Sequence, residues 1–218
     1  LERQCGQACS VGVGTPGALS PRDGRLRNSN STCLNGQALH LDLSRRLDRP
    51  VRIANDANCF ALSEARDGAA RDARSVFGVI LGTGTGGGLV IDGRLVDGPN
   101  AIAGEWGHNP LPWMTDAERP GPPCYCGKHG CIETFLSGPG LLDDYQGTSR
   151  PLSAQELVAS CGHDPAAEAC MQRYEDRLAR GLASVINVLD PDVIVLGGGL
   201  SQIQRLYQNV PRRWSRYV

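Results

Sequence analysis

A chain of 218 residues with a formal net charge of −1 and 21% charged residues presents no basic field for nucleic acid or for an anionic membrane surface. No apolar run approaches the roughly 20 residues of a membrane span, and the opening LERQCGQACSVGVG lacks the charged-then-apolar order of a secretory signal. The length supports one sizeable core or two small lobes; the expected compartment is the reducing cytoplasm, where the nine cysteines are not a disulfide framework.

In chain order, CSVGVGTPGALSPRDGRL (9–26) reads as a strand over 10–13, a Gly/Pro turn and an irregular loop. PVRIAND (50–56) is a short β-rich run that stops at Asn55-Asp56, and ANCFALSEARDGAARDA (57–73) has helical composition. SVFGVILGTGTGGGLVIDGRLVDG (75–98) predicts strand, glycine loop, strand, Asp-Gly turn and strand. Residues 98–130 hold six prolines and little periodicity, which predicts loop. CIETFLSGPGLLDDY (131–145) starts a helix. A long amphipathic helix follows over 166–190, where Met171, Tyr174, Leu178, Leu182 and Val185 recur every three or four residues. PDVIVLGGGLSQIQRLYQNV (191–210) predicts a buried strand, three glycines and a new helix. Strands mixed with helices in this order indicate an α/β architecture, with no tandem repeat or low-complexity tract.

Gly82-Thr83-Gly84-Thr85-Gly86-Gly87 matches the G-x-G-x-x-G pattern of dinucleotide sites, but that pattern needs a helix next. The β-rich GLVIDGRLV follows instead, which argues against NAD. Two readings remain: an ordinary glycine-rich hairpin, or a hairpin whose Gly82, Thr83 and Gly84 bring backbone N–H groups and a hydroxyl to a phosphate. Gly197, Gly198 and Gly199 follow an apolar strand and precede a helix, which suits either close packing or the positive end of a helix aimed at a nucleotide.

Cys124, Cys126 and Cys131 fall within eight residues. Three thiols leave one unpaired, so a disulfide set is a poor fit and a metal site a better one. Thiolate and imidazole ligands suit zinc in a closed structural site. His108, with fifteen residues between it and Cys124, and His129, inside the loop, are the candidates for the fourth ligand. The loop between Gly121 and Gly130 has too few apolar residues to hold its own shape, which favours the metal over three buried thiols.

NDAN (55–58), GTGTGGG (82–88), GEWGH (104–108), CYCGKHGCIE (124–133) and VIVLGGG (193–199) occur in the order seen in the ROK family, which groups bacterial sugar kinases with related repressors. The chain resembles that family over nearly its whole length, and the wording AGEWGHNPLPW, CYCGKHGCIETF and LDPDVIVLGGG is most similar to its fructokinase branch. The resemblance implies a two-lobed, ribonuclease H-like α/β fold of the actin and hexokinase type. Residues 1–73 would be the remainder of the amino-terminal lobe and 74–218 the carboxy-terminal lobe, with a zinc loop over 105–133. It implies an ATP-dependent hexose kinase using Mg2+ and structural zinc, converting D-fructose to fructose 6-phosphate. Another hexose (N-acetylglucosamine, mannose or glucose) or a sugar-responsive repressor is the alternative.

By the same resemblance Asp56 is the general base; NDAN read alone favours an ordinary helix N-cap. Asn30 and Asn55 would hydrogen-bond sugar hydroxyls, Glu105 and Glu133 would accept from them, and His108 would face the sugar while joining Cys124, Cys126 and Cys131 at zinc. ATP would lie on Gly82, Thr83, Gly84, Gly198 and Gly199. A homodimer is the expected assembly. ROK kinases open with a strand and a D-x-G-G-T loop for the ATP phosphates, which LERQCGQACS does not match, and they close with a further strand–helix segment beyond the position of NVPRRWSRYV. This chain is therefore expected to be an internal portion whose own turnover is poor.

Overall fold

The computed structural model describes residues 2–147 and 153–218. A single helical turn, α1 (Glu2–Cys5), leads to β1 (Val11–Thr15). Where an irregular loop is expected, β2 (Ala18–Leu19) and β3 (Leu26–Arg27) form a minimal antiparallel hairpin. Next comes α2 (Leu39–Leu47), an element the sequence reading does not anticipate; LHLDLSRRL buries no residue, so it lacks the wide apolar stripe that marks a core helix. β4 (Val51–Asn55) pairs in parallel with β1, Val11 opposite Val51 through Thr15 opposite Asn55. Both strands thus end together, and α3 (Asp56–Arg66) starts at that edge.

The expected strand–loop–strand–turn–strand run is present as β5 (Ser75–Leu81), β6 (Thr85–Ile91) and β7 (Arg94–Leu95). Most of the glycine run lies inside β6, and the reason is packing. A Cβ on Gly78 would come within 2.7 Å of the Ala61 Cβ, and one on Gly88 within 2.7 Å of the Ala57 carbonyl oxygen. The glycines let α3 lie almost on the sheet, with Ala57, Ala61 and Ala65 as its buried face.

Residues 98–130 are loop apart from a 3-10 turn at Asp116–Glu118. The helix expected from Cys131 is two short ones, α4 (Ile132–Leu136) and α5 (Gly138–Asp143). Ser137 is extended between them and accepts the Gly140 N–H on its side chain, and Pro139 offers no N–H to continue the first helix. α6 (Ala154–Ser160) opens with a capping box between Ser153 and Glu156, which sequence reading also passed over. α7 (Pro165–Leu189) is the predicted long helix at 25 residues, and buries Met171, Tyr174, Leu178 and Leu182 against Leu136, Leu141 and Leu206. Full burial of each such side chain contributes roughly 1.5–3 kcal/mol. β8 (Val193–Gly197) pairs in parallel with β5, completing a four-stranded sheet in the order β7-β6-β5-β8. The three glycines open not directly into α8 (Gln204–Trp214) but into a 3-10 turn at Gly199–Gln202.

Candidate functional site

Parallel strands that end at one edge leave their following loops side by side, the usual place for a ligand in an α/β sheet. Here β4 delivers Asn55 and Asp56 to such an edge. Asn55, not Asp56, caps α3: its side-chain oxygen accepts the Asn58 N–H at 3.0 Å and its amide donates to the Gly17 carbonyl at 3.1 Å. Asp56 is the first helical residue, exposed, with one carboxylate oxygen accepting the Ala57 N–H at 2.8 Å. The capping role that competes with catalysis for Asp56 therefore belongs to its neighbour. Asn55 has both ends of its amide committed, so as a sugar ligand it has only spare lone pairs and one amide hydrogen to offer.

A cleft of about 270 Å3 brings together Asn30, Asn55, Asp56, Glu105, His108 and Glu133, the six side chains expected around a sugar. Thr83 and Gly84 line the same cleft. Glu133, in the first turn of α4, accepts the Thr85 N–H at 2.9 Å, while its own N–H donates to the Gly107 carbonyl at 2.9 Å. Burial pushes the Glu105 carboxyl up, and the charges of Asp56 and Glu133 add to the rise against the opposing pull of His108. Three carboxylates round one small cleft suit a ligand rich in hydroxyl donors.

Gly84 is glycine for a reason the sequence did not reveal. A Cβ there would sit 2.5 Å from the Glu133 carboxylate oxygen, so the residue makes room for an acid and not only for a phosphate. Gly138 of α5 braces the loop from behind, donating its N–H to the Gly82 carbonyl at 2.7 Å. Gly198 (φ +81°) lies at the end of β8, beside the end of β5; a Cβ there would strike the Leu81 carbonyl at 2.4 Å. Close strand packing thus accounts for Gly198, while Gly199 is exposed with open space above its Cα. The two glycine loops follow neighbouring strands, but 198–199 does not line the cleft.

The ligand atoms of His108, Cys124, Cys126 and Cys131 all lie within 4.8 Å of one another. His129 is exposed and outside this group, which decides between the two candidate histidines. Cys126 and Cys131 sulfurs are 3.6 Å apart and His108 Nδ1 is 3.5 Å from the Cys124 sulfur. That spacing is far beyond a disulfide and close to the edge, about 3.8 Å, of a tetrahedron with zinc–sulfur bonds of about 2.3 Å. Burial, joined by the neighbouring thiols, pushes the Cys131 thiol up to about 12. The donor set fits zinc.

Two cleft residues escaped sequence reading. Thr85 is 6% exposed, gives its N–H to Glu133, and has a side-chain hydroxyl without a hydrogen-bond partner among the described residues. Tyr125, between two of the cysteines, places its hydroxyl 3.0 Å from His108 Nε2. Partial burial and the charge of Glu133 hold its phenol well above the ordinary value, so it remains a donor. A larger cavity of about 590 Å3 runs along α7, but its Arg177 and Arg180 are already paired with Glu118, Asp144 and Asp176.

The model of the ROK family matches residues 1–218. An N-acetyl-D-glucosamine kinase of Yersinia pseudotuberculosis is 44% identical over 218 residues, covering 96% of this chain and 71% of the relative. Among solved structures, a ROK hexokinase from Thermus thermophilus is 33% identical with a TM-score of 0.81, covering 99% of this chain and 72% of that one. A ROK family glucokinase from Streptomyces griseus, solved with glucose and AMPPNP, is 26% identical with a TM-score of 0.80, covering 95% of this chain and 72% of that one.

Proposed function

The chain belongs to the ROK family, and from that footing we propose that it transfers the γ-phosphoryl group of ATP to a hydroxyl of N-acetyl-D-glucosamine, with Asp56 as general base. It has the α/β fold of the hexokinase and actin type and is a sugar kinase, a phosphotransferase with an alcohol acceptor. The observation that carries the site is the convergence of six polar side chains in one cleft, with Asp56 at its exposed helix start. The sugar is argued from the relatives: the wording of the motifs suggests fructose, whereas relatives 44% identical to this chain are named for N-acetyl-D-glucosamine.

In this reading Asp56 takes the proton of the acceptor hydroxyl as that oxygen attacks the γ-phosphorus. Its place in the first turn of α3, with one oxygen on the Ala57 N–H, fixes where that carboxylate sits. Asn55 holds the helix start in place, Asn30, Glu105 and Glu133 orient the hydroxyls, and His108, whose ring nitrogens face the cysteines and Tyr125, stands behind them. The loop at Gly82, Thr83 and Gly84 faces the phosphates, with Gly198 and Gly199 on the neighbouring strand end toward the rest of ATP. Magnesium, carried in with ATP, supplies charge neutralisation of the phosphates; phosphoryl transfer depends on such positioning and charge more than on covalent chemistry. His108, Cys124, Cys126 and Cys131 would hold zinc, which fixes the loop that presents Glu105 and Glu133.

The test is a coupled kinase assay on the protein from its full reading frame, comparing N-acetyl-D-glucosamine, D-glucose, D-mannose and D-fructose. The expected order places N-acetyl-D-glucosamine first in kcat/KM. A higher value for fructose would return the assignment to fructokinase.

A further inference from the structure

Tyr125 connects the cysteine cluster to the cleft. Its backbone is held between Cys124 and Cys126, while its side chain leaves the cluster and is 60% exposed. It forms part of the wall between two cavities: the polar cleft, and a neighbour of about 310 Å3 where Pro122, Pro123 and Pro139 meet Thr83, Ser137 and Asp143. Asn30, Gly84 and Glu133 border both, so the two spaces are continuous with one site. The Tyr125 and His108 rings meet edge to face, with centroids 5.1 Å apart at 90°, and the phenol oxygen is 3.0 Å from Nε2.

The direction of that hydrogen bond follows from the other ring nitrogen. His108 Nδ1 faces the thiol cluster, 3.5 Å from the Cys124 sulfur, and as a metal ligand it offers its lone pair there. The ring proton is then on Nε2 and is donated to the phenol oxygen. The phenol cannot donate back to His108, so its own hydrogen is free for an acceptor in the cleft. Beyond it lies a space with three prolines on its wall, among the hydroxyls of Thr83, Thr134 and Ser137 and the carboxylate of Asp143. An acceptor oxygen followed by a small apolar group is what this wall complements, and an acetamido substituent has both.

We propose that Tyr125 is the specificity-determining residue for an acylated amino sugar: its hydroxyl donates to the acyl oxygen, and the proline-lined cavity takes the acyl methyl. This rests on the sugar-kinase reading above. A hexose with a plain hydroxyl at that position reaches neither the donor nor the prolines.

The experiment compares wild type and Tyr125→Phe, both from the full reading frame and checked for equal zinc content and circular dichroism. Calorimetry with N-acetyl-D-glucosamine and with D-glucose, in the absence of ATP, supplies the readout. Loss of one neutral hydrogen bond should lower the preference for N-acetyl-D-glucosamine over glucose roughly 3- to 10-fold. In steady-state assays KM for the acetylated sugar should rise with kcat changed far less. Tyr125→Ala should lower the preference further. Equal weakening for both sugars would mean that Tyr125 only orients His108, and an unchanged preference would mean that it touches neither; each overturns the proposal alone. If wild type binds neither sugar, the proposal falls together with the kinase reading.

Discussion

Glu133 rests its carboxylate against the N–H of Thr85 at 2.9 Å, directly over the spot where Gly84 has no side chain. An acid expected to hold sugar and a loop expected to hold phosphate are therefore mechanically one unit. Gly84→Ala forces the carboxylate aside, and misplacement of a positioning group by about 1 Å costs up to roughly 100-fold in rate. The expected result is weaker sugar binding as well as weaker ATP binding, each followed by calorimetry. A variant that loses ATP affinity alone would separate the two sides.

Asp56 and Asn55 make opposite predictions although they are adjacent. Asp56→Asn should lower turnover by roughly 10²–10⁴-fold while sugar binding stays close to wild type. Its effect on stability should be small, since Asp56 is not the cap. Asn55→Ala should instead cost about 1 kcal/mol in urea unfolding, because it leaves the Asn58 N–H without its acceptor. Near-normal turnover in Asp56→Asn would leave the cleft without a base.

The four-residue cluster predicts one zinc per chain by elemental analysis. Comparable ligand sets in small finger peptides contribute roughly 10–16 kcal/mol. Cys126→Ser should abolish stoichiometric zinc and sugar binding together, because Glu105, His108 and Glu133 flank the loop. The β5–β6 hairpin should keep its protection against hydrogen exchange. Retained sugar binding without metal would make the cluster dispensable for the cleft.

Glu118 predicts the acid response. Burial opposes its ionisation, but hydrogen bonds from Arg180 and Arg177 outweigh that and hold the carboxyl down at about 2, from an ordinary 4.5. Its folded value is depressed, so its stabilisation is fully present above 4.5 and is lost as pH falls toward about 2. Urea midpoints should decline across that window. Glu118→Gln should flatten the decline and destabilise the neutral protein by about 3 kcal/mol, since two nearly buried guanidinium groups lose a partner.

What the sequence disclosed was whatever strong periodicity or fixed spacing encodes. The α7 stripe, the strand–loop–strand of 75–98 and the cysteine spacing all predicted their elements, because each depends on near neighbours in the chain. α2 and α6 were missed because neither has a wide apolar face to mark it. The purpose of Gly78, Gly84 and Gly88 was hidden for a different reason. Each is small because of a residue far along the chain, Ala61, Glu133 or Ala57, and only the folded contacts reveal the partner. Tyr125 was overlooked between two cysteines whose chemistry was easier to recognise.

The seam of Gly78 and Gly88 against Ala57 and Ala61 has a consequence for motion. At Gly78 and Gly88 α3 comes almost to the sheet backbone, with Ala61 and Ala65 packed among Val76, Val90 and Val195, a seam that resists sliding of α3 over the β5–β6 hairpin. On the proposed reading, any motion that opened the cleft would leave Asp56 and the loop at Gly82–Gly84 in the same relation. What it can vary is the far wall, where Asn30 stands on a surface loop after β3. On that reading the alignment of the proposed proton acceptor with the proposed phosphate loop would be set once, when the chain folds.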